Sequence, residues 1–364
     1  MLPTTAMKGK KGASGKIGVY PGAFPDREDT EQIVLAHGAG GRKMHRLIRE
    51  LFLKYFGNPV LNRLEDAAAV RLHSNQICFT TDSYVVQPLF FPGGDIGKLA
   101  VAGTVNDLAV CGAQPEFIAL GFILREGVRM ATVEKICKSI SQTAKKAGVT
   151  IVTGDTKVIE RDVRQGESEG VYINASGVGR RLGVELGVER IRPGDVILIN
   201  GEVGSHEAAV ALARGTYRLK ADLKSDCAPL NRLIMAVLEC GGVRVMRDPT
   251  RGGLATTLNE FAEMCGLGLI VDEQAVPVSR AVRGVAELLG LDPLYMANEG
   301  KVVIISARQQ AEAILKVMRS FPEGRDARVI GEVAKVPAGV WLKTRLGSLR
   351  RLLMLEGEQL PRIC

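Results

Sequence analysis

Ile77-Cys-Phe-Thr-Thr-Asp82 is a short apolar run that stops on a carboxylate, and the order of the segments after it decides the fold class. A helical pattern over Gly97–Cys111 comes next, then the apolar run Phe117–Leu124, a second helical pattern over Ala131–Ala147, and the runs Thr150–Thr153 and Val171–Val178. Upstream, Ile33–Ala36 reads as another short strand. Downstream, the spacing predicts strands over Asp195–Asn200, Gly242–Met246, Gly268–Val271 and Lys301–Ser306. Helices are expected around His206–Arg214, Leu254–Cys265 and Gln309–Phe321. Strands and helices intermix without strict alternation, so an α+β protein is expected in place of a doubly wound sheet.

With 364 residues, 46% of them hydrophobic, the chain has material for two cores of ordinary size. The expected division is a basic N-terminal extension over residues 1–30, a first domain over 31–186, a second over 187–349 and a C-terminal tail over 350–364. Residues 1–30 carry too few apolar side chains to offset the entropy of ordering and read as disordered. The formal charge of +8 suggests nucleic acid at first sight. Lys8, Lys10, Lys11 and Lys16 supply +4 of it, and no basic run is interleaved with aromatics, so a nucleic-acid partner is not expected. The seven cysteines form no C-x-x-C pair and read as free thiols of a reducing compartment. No apolar stretch resembles a signal peptide or a membrane span, so the expected location is the cytoplasm, away from membranes.

Chemistry is concentrated in a few stretches. His37-Gly-Ala-Gly-Gly41 looks like a phosphate loop, with a plain turn as the alternative. It fails the dinucleotide fingerprint at Lys43, and the P-loop fails around Lys98, where Leu99 replaces the required hydroxyl. Asp66, Asp82, Asp107 and Asp155 each abut an apolar run that pins them near an element's end. Any one of them also reads as a cap or turn residue. Four together point to Mg²⁺, which takes a few carboxylates and completes its shell with phosphates and water. Asp248-Pro-Thr-Arg-Gly-Gly253 leads into a helix whose N-terminus, with Arg251, suits an anion, or is simply a well-capped start. Glu299 stands in a turn ahead of a strand. Cys364 is the last residue, on a stretch of roughly a dozen residues that extends about 40 Å.

Taken together, His37–Gly41, Thr81-Asp-Ser83, Gly94–Ala100, Gly103–Ala109, Gly154-Asp-Thr-Lys157, Asp248–Gly253, Asn298-Glu-Gly300 and the ending Pro-Arg-Ile-Cys364 resemble the HypE family of hydrogenase maturation proteins. Relatives of that family include aminoimidazole ribonucleotide synthetase, selenophosphate synthetase and thiamine-monophosphate kinase. The resemblance runs from about residue 31 to the end; residues 1–30 have no counterpart in it. It implies two-domain chains whose N-terminal domains pair through β-sheet in a homodimer, with ATP near that interface. It implies a nucleotide site drawn from His37, Gly40, Lys98, Asn106, Asp248, Thr250 and Arg251, with Mg²⁺ on the four aspartates. It also implies carbamoyl transfer to Cys364 by the carbamoyltransferase HypF and ATP-dependent dehydration of the S-carboxamide to a thiocyanate. Lys157 and Glu299 match the positions offered for proton transfer, and are expected to converge on the tail. The cyanide would pass to iron on a HypC–HypD complex, for [NiFe]-hydrogenase. Two rivals stay open at this point. One is a small-molecule phosphorylating enzyme of the same superfamily, which would not need Cys364; the other is a non-catalytic thiol or metal adaptor.

Overall fold

The computed structural model describes residues 32–72, 74–161, 170–215 and 222–355; Cys364 and residues 1–31 lie outside them. The described chain opens with helices α1 (Arg42–Leu47) and α2 (Leu53–Phe56), joined by a π-helical turn over Ile48–Phe52. Strands β1 (Ile77–Tyr84), β2 (Phe90–Phe91) and β3 (Gly94–Asp95) lead into α3 (Ile96–Val110). Then come β4 (Ala113–Arg125), α4 (Met130–Ala147), β5 (Thr150–Ile159) and β6 (Val171–Arg181). The second half comprises β7 (Val196–Ile199), α5 (Ser205–Ala213), α6 (Asn231–Glu239), β8 (Val243–Arg247), α7 (Gly253–Cys265), β9 (Gly268–Asp272) and α8 (Arg280–Leu289). It closes with β10 (Val303–Ser306), α9 (Ala311–Arg319), β11 (Arg328–Ala334), β12 (Gly339–Lys343) and β13 (Leu349–Arg351).

The first sheet has the order β1-β6-β4-β5, antiparallel except for the parallel pair β4/β5. One face packs on α3 and α4 over a core that includes Ile96, Leu120, Phe122, Ile136 and Ile173. The other face is open. Its register carries Ile77, Phe79, Thr81 and Ser83 of β1 beside Val178, Ser176 and Asn174 of β6, then Ile123 of β4 and Lys157 of β5. The side chain of Phe79 is 66% exposed there. The second sheet has the order β13-β12-β9-β11-β7-β10-β8 and mixes parallel with antiparallel pairs. Both of its faces are covered. Ile197, Ile199, Val303 and Ile305 pack against α7, while Leu198 and Ile304 pack against α6 and α9. The architecture is therefore α+β, as the intermixed pattern predicts.

The expected strand at Ile33–Ala36 is absent. Gln32 makes an isolated bridge to Arg129, and Leu35–Gly38 forms a 3₁₀ turn. The imidazole Nδ1 of His37 accepts the Val34 N–H at 3.0 Å, and this local bond favours the turn over an extended run.

Helix α3 positions the site. It is buried almost all round, as its nearly continuous apolar sequence requires. Asp95 caps it, its Oδ1 accepting the N–H groups of Gly97 and Lys98 at 2.8 and 3.0 Å. Gly103 lets it approach β1 closely, since a Cβ there would stand 2.4 Å from the Tyr84 hydroxyl. At that spacing the last turns of α3 bring Asn106 and Asp107 between the two halves of the chain.

Candidate active site

Asp107 and Asp82 face each other across the gap between α3 and β1. The Thr80 hydroxyl donates to Asp107 at 2.8 Å, and the Tyr84 hydroxyl donates to Asp82 at 3.3 Å. Asp248, at the end of β8, and Glu299, ahead of β10, complete an acidic group on the wall of a cleft of 960 Å³. Thr250, Arg251 and His206 also line it. A second cavity of 440 Å³ shares Asp107, Asp248, Thr250 and Arg251 with the first, so the loop Asp248–Gly253 forms the partition between them. Gly252 and Gly253 adopt φ of 75° and 60°, which glycine reaches without strain, and a Cβ on Gly253 would meet the Met296 carbonyl at 2.6 Å.

The electrostatics are those of buried carboxylates set close together. Burial, then Asp248 and Asp82, push Asp107 up to about 7. Burial and Asp82 push Asp248 up to about 6. Glu299 is held well above the ordinary carboxylate range, first by burial, then by Asp248, Asp226, Asp82 and Asp107. His206 is held low by burial, with its Nδ1 2.9 Å from the Ser225 hydroxyl.

The turn that carries Glu299 is immobilised on every side. Asn298, buried, accepts the Gly204 N–H at 2.8 Å and donates to the carbonyls of Pro249 and Met296, each at 2.9 Å. Asn200 donates to the Gly300 carbonyl at 3.0 Å. Asn106 donates to the carbonyls of Ala228 (3.1 Å) and Glu299 (3.5 Å) and accepts the Leu230 N–H at 2.7 Å. The Asn106 amide, which the family resemblance places in the nucleotide site, is committed here to these protein partners and pins the two halves together.

The remaining expected residues are dispersed. Asp66 is exposed in the loop before β1. Asp155 and Lys157 are exposed on β5, paired with Gly121 and Ile123 of β4, and Lys157 shares the open sheet face with Ile123. Asp155 borders a separate, mostly apolar pocket of 220 Å³ between β5 and the 42–68 segment. Lys98 donates to the Gly93 carbonyl at 2.7 Å. His37, buried and held below its ordinary pKa by that burial, packs with Gly38 against β5, and Gly40 (φ 75°) follows it in the turn. Among the described residues no three His, Cys, Asp or Glu side chains converge to hold a metal ion on their own. The expected four-aspartate set is therefore divided within one chain. Strand alternation puts Asp82 and Lys157 on opposite faces of the sheet, and the loop position of Asp66 leaves it in solvent. The sequence reading missed Asp226, Lys301 and Asn200, which carry no motif and matter only through the turn they fix.

The end of the described chain returns to the cleft. Leu352 is buried; its N–H donates to Val340 and its carbonyl accepts from Asn259 at 3.1 Å. Tyr295 donates to the Leu353 carbonyl at 2.7 Å, and Leu355 lines the cleft that holds Glu299. Cys364, nine positions on, lies outside the described residues.

Two mixed sheets joined through a buried helix, with carboxylates gathered at the junction, define an AIR synthase related protein. The N-terminal domain of that family matches residues 64–181 and its C-terminal domain residues 192–341. Carbamoyl dehydratase HypE of Rhodobacter capsulatus is 48% identical over 340 residues, covering 92% of this chain and 98% of that protein. The Escherichia coli (strain K12) protein is 46% identical over 338 residues, covering 91% and 99%. The chain belongs to the carbamoyl dehydratase HypE family. A solved structure of hydrogenase maturation protein HypE in complex with ATP superposes with TM-score 0.85 at 48% identity, covering 91% of this chain and 99% of that one. The HypE chain of a HypE–HypF complex superposes with TM-score 0.73 at 43% identity, covering 85% and 99%. No helix among the described residues is long and apolar enough to cross a membrane.

Proposed function

We propose that this enzyme uses ATP to dehydrate an S-carboxamide on its own Cys364 to a thiocyanate, the source of the cyanide ligands of [NiFe]-hydrogenase iron. The observation that carries the reading is the meeting of Asp82, Asp107, Asp248 and Glu299 on one cleft whose wall includes Leu355, close to the root of the tail. An amide oxygen leaves poorly. Transfer of a phosphoryl group to it creates a phosphate, which leaves well, and loss of that phosphate with both nitrogen-bound protons gives the nitrile. The water removed ends in inorganic phosphate, and ATP becomes ADP.

Mg²⁺ fits the donor set. The carboxylates are hard oxygen ligands, and their protons are held high by burial and by one another's charge. Asp107 and Asp248 would hold the ion together with nucleotide phosphates, so three converging protein ligands are not required. Its chemistry would be to neutralise charge on the transferring phosphoryl group. Arg251, exposed on the partition loop, is assigned to the phosphates, with Thr250 beside it. Glu299 is assigned as the base for the amide protons.

The domain division 31–186, 187–349 and 350–364 is part of this proposal, supported by the two family matches. So is a homodimer formed through the open face of β1-β6-β4-β5, where Ile77, Phe79 and Ile123 leave apolar surface in solvent. Asp66, Asp155 and Lys157 stand apart from the cleft of their own chain, and we assign their contribution to a second copy. HypF is the proposed carbamoyl donor and a HypC–HypD complex the acceptor of cyanide. The test is intact mass of the C-terminal peptide after exposure to HypF with carbamoyl phosphate and then Mg·ATP. The wild type gains a carbamoyl group and then loses one water. Glu299→Gln is expected to load and not to dehydrate; dehydration at the wild-type rate in that variant would refute the assignment.

A further inference from the structure

Asp226 lies in the irregular segment ahead of α6, with its side chain only 6% exposed. Its Oδ1 accepts the Glu299 N–H at 3.2 Å and its Oδ2 accepts the Gly300 N–H at 3.1 Å. Lys301 Nζ stands 3.3 Å from the same Oδ2 and also donates to the Gly300 carbonyl at 3.2 Å. Two residues further along, the Ala228 N–H donates to the Glu299 carbonyl at 3.3 Å. One short segment therefore grips both polar groups of the Glu299 backbone. The approach is so close that a Cβ on Gly300 would stand 1.9 Å from the Asp226 carbonyl.

A carboxylate taken out of water needs compensation, and a single ammonium rarely supplies enough of it. Here the two backbone N–H groups complete the set and, in doing so, fix the peptide on each side of Glu299. An ion pair serving stability alone has no need of this arrangement.

We propose that Asp226 is a positioning residue for dehydration, acting by holding the Glu299 carboxyl in register with the amide on the tail. This rests on Glu299 acting in the cleft. Displacing a reacting group by about 1 Å costs on the order of 100-fold in rate. In Asp226→Asn one oxygen becomes an NH₂ group that meets an N–H donor or the Lys301 ammonium, so the grip on one side is lost.

The experiment measures single-turnover conversion of the carbamoylated tail to the thiocyanate by mass, in full-length protein, alongside ATP affinity by calorimetry and thermal unfolding. Asp226→Asn is expected to lower conversion about 100-fold while ATP affinity and carbamoyl loading stay near wild type. Lys301→Met, which leaves both N–H contacts in place, is expected to lose stability but keep most of its conversion rate. The double variant Asp226→Asn/Lys301→Met removes the buried ammonium left without its carboxylate, and carries the test if the single variant does not fold. It is expected to regain stability without regaining rate. Conversion at the wild-type rate in the Asp226 variants, or rate losses that follow thermal stability equally in Asp226→Asn and Lys301→Met, would overturn the proposal. Glu299→Gln run in parallel separates the two ideas. If it dehydrates normally, the role of Glu299 itself fails and the positioning role falls with it. If it does not, while Asp226→Asn does, only the positioning role fails.

Discussion

Lys157 lies on the open face of the four-stranded sheet, while Glu299 faces the side of that sheet covered by α3. Within one chain the sheet separates them, so the joint action proposed for them on one amide requires two copies. Mixed dimers test this. Lys157→Ala and Asp107→Asn chains, each inactive alone, are expected to recover about a quarter of wild-type conversion when refolded together in equal amounts, because half the dimers then own one intact site. No recovery would place Lys157 and Asp107 in the same chain's site.

Asp107 and Asp248 give the nucleotide-free, metal-free enzyme a definite pH profile. Their folded-state values of about 7 and about 6 lie above the ordinary 3.8, so the folded protein holds protons that the unfolded chain has released. That contribution is complete below pH 4 and is lost as pH rises toward 7. Thermal stability should therefore decline between pH 5 and 7 from this source, and Asp107→Asn should flatten the decline and raise stability near pH 7. A steeper decline in the variant would contradict the assignment. Mg·ATP is expected to stabilise the wild type more than the variant.

Phe79→Glu places a charge in the middle of the open sheet face. Equilibrium sedimentation should show a shift from dimer toward monomer, with secondary structure intact by circular dichroism. A dimer of unchanged affinity would move the interface elsewhere.

Gly300→Ala forces a methyl group onto the Asp226 carbonyl. Overpacking of this kind costs about 1–3 kcal/mol, and chemical denaturation should register it. The same substitution at Gly40, where nothing lies within 4 Å of the added Cβ, meets only the strain of φ 75° and should cost less.

The sequence made much of this visible. The helix pattern over Gly97–Cys111 and the observed α3 differ by one residue at each end. Asp82 and Asp107 stand out as acids at the ends of apolar runs, and they meet. Asp66 and Asp155, read in the same way, stand elsewhere, and the acids that join the pair on the cleft are Asp248 and Glu299, which read as turn residues. Strand β5 was legible only over Thr150–Thr153; it runs on to Ile159, with Thr156 and Val158 buried and Asp155 and Lys157 exposed. Which face of the sheet borders the cleft was not legible, because that depends on where α3 packs. Asn106 reads as a ligand in sequence, but its amide joins segments more than a hundred residues apart. Asp226 has the same origin: its partners are fixed by tertiary contact, and nothing adjacent in the chain announces them.

The fastening of Leu352 to Val340 and Asn259 has a kinetic consequence. A thiol tied to its own enzyme by a dozen residues never has to be captured from solution. Short tethers present their ends at local concentrations on the order of millimolar. Saturation by a separate carbamoylated peptide should thus demand amounts of that size, and such a peptide should barely slow the attached one. The catalytic cycle then has no substrate release step. On the proposed cycle, each further turnover also needs a visit from the acceptor of cyanide and reloading by the carbamoyl donor.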